Sequence, residues 1–274
     1  MKFSAYKMDG LGNDFVIIDN RSSPITLNQE QILKICDRKF IGCDQLIFIN
    51  SHNQFDAKID FFNSDGSISG ACGNGTRCVA DLLSKESGKN NISLVTPAGE
   101  LKSNIMGNNL VETGIGFGKT NWDEIPLAKN INTKNLEIEI VDNDNKSHIG
   151  GTAINVGNPH VIFFVNDLEK FNIKKIGSKI ERHALFPERC NVTIGQVINK
   201  ELIKVKVWER GAGLTKACGT AACATAFAGL INDISSNHVN IQFKTGNLSI
   251  TINQDNFIKM KGIVSDIKKI DIKL

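Results

Sequence analysis

Two short stretches hold the residues best suited to chemistry. "ACGNGTRCVA" (71–80) sets Cys72 ahead of Gly73, Asn74 and Gly75, and "KACGTAACATA" (216–226) sets Cys218 ahead of Gly219 and Thr220. Each then enters a helix-forming run. A buried structural cysteine needs no glycine beside it, and glycine costs roughly 1 kcal/mol relative to alanine inside a helix. The pattern makes sense where a thiol and uncovered backbone N–H groups must share one place. A cysteine just ahead of a helix sits at the positive end of the helix dipole. There its pKa, about 8.5 in a peptide, is expected to fall toward neutrality. First-turn N–H groups add a site for a carboxylate. Two such motifs facing each other across a cleft would suit one reaction. One thiolate takes the proton α to a bound carboxylate, and the other thiol returns a proton on the opposite face, inverting the carbon. Helix-terminal donors would stabilise the charge that develops on the carboxylate.

The elements around the two motifs echo each other. Strands and a glycine turn precede each cysteine ("KIDFFNSDGS", "KVKVWERGAG"), an apolar helix follows ("CVADLLSKES", "CATAFAGLIND"), and strands come next ("NISLVTPAGEL", "HVNIQFKTGNLSITI"). The cysteines lie 146 positions apart in a chain of 274 residues. Two related domains explain this repeat: a first over 1–117 and a second over 118–262. "INTKNLEIEIVDNDNKSH" reads as a charged surface hairpin. Short alternating runs such as "HVIFFV" and "IKVKVW" dominate, with few helices, so the fold class expected is α+β with mostly antiparallel sheet.

Composition narrows the classes. Apolar residues make up 41% and charged residues 22%, as in a globular protein, and the net charge of +3 gives no ground for nucleic acid or membrane as a partner. No apolar run reaches the roughly 18 residues of a span. The opening residues lack the apolar core of a signal peptide, so a cytoplasmic location is expected. The seven cysteines are an odd number, and in a reducing compartment most are expected as free thiols, with Cys36, Cys78 and Cys223 as small buried hydrophobes. Cys-x-x-Cys is absent, the Cys/His spacing does not suit zinc, and the glycines of "GAGLTKACG" miss the dinucleotide-loop spacing.

Polar residues in turns at strand ends complete the candidate set: Asn13 in "GLGNDFVIID", Gln45 in "CDQLIF", Asn63 in "FFNSDGS", Asn158 and His160 in "VGNPHVI", Asn191 in "RCNVTI", and Glu209 and Arg210 in "VWERGAG". Singly, each is ordinary turn chemistry or a surface ion pair. Together they recur wherever an apolar strand ends in a Gly/Asn/Asp-rich turn.

With these residues in view, the chain resembles the diaminopimelate epimerases. "GNDFVIID", "NSDGSISGACGNGTRC", "TPAG", "VGNPH" and "WERGAGLTKACGTAACA" occur in order over nearly its whole length. The resemblance implies two pseudo-symmetric halves, each a strand-rich barrel-like sheet around a central helix, with the C-terminal strand, 263–274, returning to the first. It implies interconversion of LL- and meso-diaminopimelate, on the route to lysine and peptidoglycan, with no cofactor and no metal. Cys72 and Cys218 become the acid/base pair, supported by His160 and Glu209. Backbone N–H groups of Gly73, Asn74, Gly219 and Thr220 would hold the reacting carboxylate. Asn63, Asn158, Asn191 and Arg210 would grip the distal amino acid end, Arg210 by a bidentate contact. Asn13 and Gln45 would line the substrate, and a homodimer is a possible assembly. Leu214, Ala221, Cys43 and Ser69 depart from the usual pattern. The alternatives are a related two-cysteine racemase acting on another amino acid, such as histidine or proline, and a non-enzymatic amino acid binding protein on the same fold.

Overall fold

The runs Phe15–Ile18 and Leu46–Ile49 are apolar at every position because both faces of their strands are covered. The computed structural model describes residues 1–70 and 72–274. In it, Phe15, Ile17, Ile47 and Ile49 pack on one side, and Val16, Ile18, Leu46 and Phe48 on the other. Successive side chains of a strand point to opposite faces, so a strand buried on both sides loses its apolar–polar alternation.

The chain divides into two units, one of Met1–Gly114 with Lys261–Leu274 and one of Ile115–Met260. The first opens with β1 (Lys2–Gly10), β2 (Asn13–Asp19) and α1 (Gln29–Cys36). Then come β3 (Gln45–Asn50), β4 (Ala57–Asn63), the short β5 (Ile68–Ser69), α2 (Gly73–Ser87), β6 (Asn91–Thr96), β7 (Gly99–Ile105) and β8 (Leu110–Phe117). The second holds β9 (Ile138–Val141), β10 (Ser147–Gly150), β11 (Thr152–Asn155), β12 (Pro159–Val165), α3 (Ile173–Ile180), β13 (Asn191–Asn199) and β14 (Leu202–Glu209). It continues through β15 (Gly213–Leu214), α4 (Gly219–Ile231), β16 (His238–Phe243), β17 (Gly246–Ile252) and β18 (Phe257–Ile263), and β19 (Lys268–Lys273) follows.

Pairing within the units repeats strand for strand. In the first, β1–β2 is antiparallel, β2–β3 parallel, β3–β4 and β4–β5 antiparallel, β4–β6 parallel and β6–β7 antiparallel. In the second, β11–β12 is antiparallel, β12–β13 parallel, β13–β14 and β14–β15 antiparallel, β14–β16 parallel and β16–β17 antiparallel. The sheets are mostly antiparallel, with two parallel pairs per unit where a connection crosses over. β19 pairs with β1, from Lys2 opposite Lys273 to Lys7 opposite Lys268. β9 and β10 form the separate hairpin.

One helix runs through the middle of each sheet. α2 touches β1, β2, β6 and β7, and α4 touches β11, β12, β13, β16 and β17. Strands from both ends of the pairing order reach the same helix, so each sheet curls around it. α2 is buried at every position from Asn74 to Ser84, and α4 from Ala221 to Gly229. A helix buried all round needs no polar face. The alanines of α4 also supply strong helix propensity at small width. α1 and α3 cover the outer faces through Ile32 and Ile35 and through Ile173, Ile176 and Ile180. No helix among the described residues is long and apolar enough to cross a membrane.

Candidate active site

Both singled-out cysteines are N-caps. Cys72 precedes α2 and Cys218 precedes α4, each with extended backbone (φ −149° and −138°). The first N–H groups of a helix have no partner within it. Gly73 and Asn74, like Gly219 and Thr220, are therefore the residues whose amides remain to bind an anion. The Gly75 amide donates to Cys72 Sγ at 3.4 Å. Gly75 is glycine because a Cβ there would lie 2.8 Å from Ile47 Cδ1 and 2.9 Å from Phe61 Cε1. Close packing of this first helical turn on the sheet thus fixes where the Cys72 sulfur sits.

In the first unit, a two-residue loop of Leu11 and Gly12, both with positive φ (64° and 84°), joins β1 to β2 and presents Asn13. The Cys72 thiol donates to Asn13 Oδ1 at 3.8 Å, and Asn13 Nδ2 donates to Asp44 Oδ2 at 3.0 Å. Asp44 also takes the Asp14 amide and is paired with Arg38. It is a bracing residue that the reading of "CDQLIF" passed over, although it directly precedes Gln45. Gln45 and Asn63 face each other across β3 and β4, and Gln45 Nε2 donates to Asn63 Oδ1 at 2.8 Å. Gln45 Oε1 is buried with no hydrogen-bond partner among the described residues. Asn74 is buried, and its Oδ1 accepts from Arg77. Cys43 packs in the layer under α1, its sulfur 3.5 Å from that of Cys36.

In the second unit, the parallel register of β12 and β13 sets His160 opposite Asn191. His160 Nε2 lies 2.8 Å from Asn158 Oδ1 and 3.3 Å from Asn191 Nδ2. The Asn158 carbonyl oxygen needs a proton on Nε2 and the Asn191 NH2 group needs a lone pair there, so one tautomer makes only one of the two bonds. Nδ1 is buried and has no hydrogen-bond partner among the described residues. Burial, with help from the Arg210 charge, lowers the His160 pKa to about 3, so the ring is neutral. Asn191 Oδ1 accepts the Arg210 amide at 2.7 Å, and Arg210 Nη1 donates to the Glu188 carbonyl at 2.8 Å.

Glu209 lies against Cys218. The structure corrects the expectation that helix placement lowers this thiol's pKa. Burial, and then the Glu209 charge, hold it well above its ordinary value. A hydrogen bond to the carboxylate also keeps the proton on sulfur. The Thr220 hydroxyl, 3.4 Å from Sγ, and the Ala221 amide pull the other way. That amide occupies the helix position of Gly75 in α2. Cys218 is only 5% exposed, so desolvation outweighs the dipole. Leu214, paired across from Trp208 in β15, points outward and is exposed.

The polar candidates thus form two local groups. One is Cys72, Asn13, Gln45, Asn63 and the start of α2. The other is Cys218, Glu209, Thr220 and the linked set Asn158, His160, Asn191 and Arg210.

Known proteins match this chain. A family model described as diaminopimelate epimerase covers residues 5–117 and 152–266. The chain is 66% identical to the diaminopimelate epimerase of Pelagibacter ubique (strain HTCC1062) over 274 residues, all of both chains. It is 40% identical to that of Acidiphilium cryptum (strain JF-5), over 94% of this chain and 92% of the other. Among solved structures, a hydroxyproline epimerase from Agrobacterium vitis has the same fold, with a TM-score of 0.70 at 10% identity, over 98% of this chain and 91% of the other. The stretch between the two matched segments, 118–151, includes the β9–β10 hairpin. Matched in both halves and aligned end to end with a relative of two-thirds identity, the chain belongs to the diaminopimelate epimerase family.

Proposed function

We propose that the chain interconverts LL- and meso-diaminopimelate by proton transfer between two thiols, Cys72 and Cys218, acting on opposite faces of one α-carbon. The observation that carries this reading is the repeated device itself. Each unit sets a cysteine at the N-cap of its central helix, beside first-turn amides that the helix leaves free. The amides of Gly73 and Asn74 and of Gly219 and Thr220 hold the reacting carboxylate and take up its growing charge as the α-proton leaves. Acid, base and charge-stabilising donors all come from the chain, so the reaction calls for no cofactor.

One thiol acts as base and the other as acid, the roles exchanging with the direction of reaction, and the Glu209 carboxylate beside Cys218 is the group placed to take its thiol proton. His160, neutral down to about pH 3 and set among Asn158, Asn191 and Arg210, supports the acid/base pair by positioning that network. Arg210 and the asparagines 63, 158 and 191 hold the distal amino acid group, and Asn13 and Gln45 line the substrate. Incubation with LL-diaminopimelate tests the reading: accumulation of the meso isomer supports it. Turnover of histidine or proline alone would assign the chain to the related racemases, and no turnover of any would leave a binding protein.

A further inference from the structure

Among the buried carboxylates that the mechanism leaves unused, Glu181 contacts the residues on either side of Glu209 and Arg210. Glu181 caps the C-terminus of α3 and is 4% exposed. Its Oε2 accepts the Trp208 indole N–H at 2.7 Å, and its Oε1 accepts the Gly211 backbone N–H at 3.1 Å. Trp208 and Gly211 stand immediately before and after Glu209-Arg210. One side chain therefore pins both ends of the dipeptide. The backbone of Glu181 is tied down in turn. Its N–H donates to the Gly177 carbonyl at 2.8 Å, and its carbonyl accepts from Cys190, the residue before Asn191, at 3.3 Å. Arg189, in left-handed backbone (φ 61°), brings its guanidinium to 3.8 Å from Oε1. α3 reaches Trp208 only because residue 177 is glycine, since a Cβ there would lie 2.4 Å from Trp208 Cβ and Cγ.

We propose that Glu181 is a positioning residue for the reaction: it holds the Trp208–Gly211 turn so that Glu209 meets Cys218 and Arg210 meets the distal end of the substrate. The inference rests on the roles given above to Glu209 and Arg210. Removing the carboxylate frees two N–H donors and lets the turn shift. Glutamine keeps one acceptor but must aim its NH2 at one of the same donors, so it restores only part of the hold.

The test uses the full chain with Glu181→Ala, Glu181→Gln and Gly177→Ala. The last keeps every charge and displaces Trp208 by contact alone. Turnover of LL-diaminopimelate should fall by about tenfold or more in Glu181→Ala, chiefly in kcat, and less in Glu181→Gln, the loss expected from one or two charge-assisted hydrogen bonds. Alkylation of Cys218 by iodoacetamide, followed by peptide mass mapping against pH, is the second readout. With Glu209 displaced, its hold on the thiol proton weakens, and the alkylation profile should move to lower pH by about one unit in Glu181→Ala, and in the same direction in Gly177→Ala. Folded variants with the parental Cys218 profile and parental kcat would overturn the proposal, as would a lowered melting temperature with neither readout changed. If Glu181→Ala does not fold, Glu181→Gln and Gly177→Ala carry the same decision. If the parental protein itself does not turn over, the proposed activity fails, while the Cys218 profile still decides the role of Glu181.

Discussion

Gly75→Ala tests whether close packing of α2 sets the position of the Cys72 sulfur. An added Cβ would meet Ile47 Cδ1 at 2.8 Å, Phe61 Cε1 at 2.9 Å and Phe15 Cε1 at 3.3 Å. All three side chains are fully buried, so none can swing into solvent. Ordinary contact needs about 3.4 Å, so the helix start must retreat by about 0.6 Å from the nearest atom. Overpacking of this kind costs about 1–3 kcal/mol, while replacing a helical glycine by alanine returns about 1 kcal/mol. The net loss is about 0–2 kcal/mol, a fall of up to a few degrees in melting temperature for a chain of this size. The effect on turnover should be larger than that on stability. The same amide that moves is bonded to Cys72 Sγ, and misplacing a reacting group by 1 Å costs on the order of a hundredfold. Thermal unfolding and steady-state kinetics on LL-diaminopimelate measure both. A Gly75→Ala protein that melts at or above the parental temperature with parental kcat would refute the reasoning, because the contacts would then not constrain the helix start.

Two further predictions concern charge. The unfolded chain binds a proton at His160 near pH 6.5, whereas the folded chain holds the ring neutral down to about pH 3. The unfolded state therefore carries more protons in that window, and stability should fall with pH below about 6.5, by about 1.4 kcal/mol per unit. Urea midpoints between pH 7 and pH 5 should show this slope and His160→Gln should flatten it, whereas an identical slope in the variant would contradict the assignment. Glu209→Gln should let Cys218 alkylate at lower pH, since the carboxylate helps to keep the proton on sulfur. An unmoved profile would show that Glu209 does not govern this thiol.

Much of this was legible in the chain because local rules govern it. The repeat places Cys72 and Cys218 at equivalent helix starts, and the glycines beside them already imply uncovered amides. The apolar runs at 15–18 and 46–49 mark strands. What the sequence hid depends on register and burial. Nothing local says that His160 faces Asn191 across a parallel pair, yet that register builds the network around the ring. The direction of the Cys218 shift was misjudged because the dipole is a local property and burial of the thiol against Glu209 is not. Glu181 lies 28 residues before Glu209 in a stretch without repeat or motif. Only the closeness of Gly177 to Trp208 shows why a carboxylate stands there.

The central claim is that two sulfur atoms share the work on one carbon, and isotope exchange in deuterium oxide addresses it most directly. The parental protein, fully reduced, should incorporate deuterium at the α-carbon of LL-diaminopimelate with inversion. Cys72→Ala and Cys218→Ala should each lose turnover while still binding substrate. Inversion at the parental rate in either single variant would contradict the account.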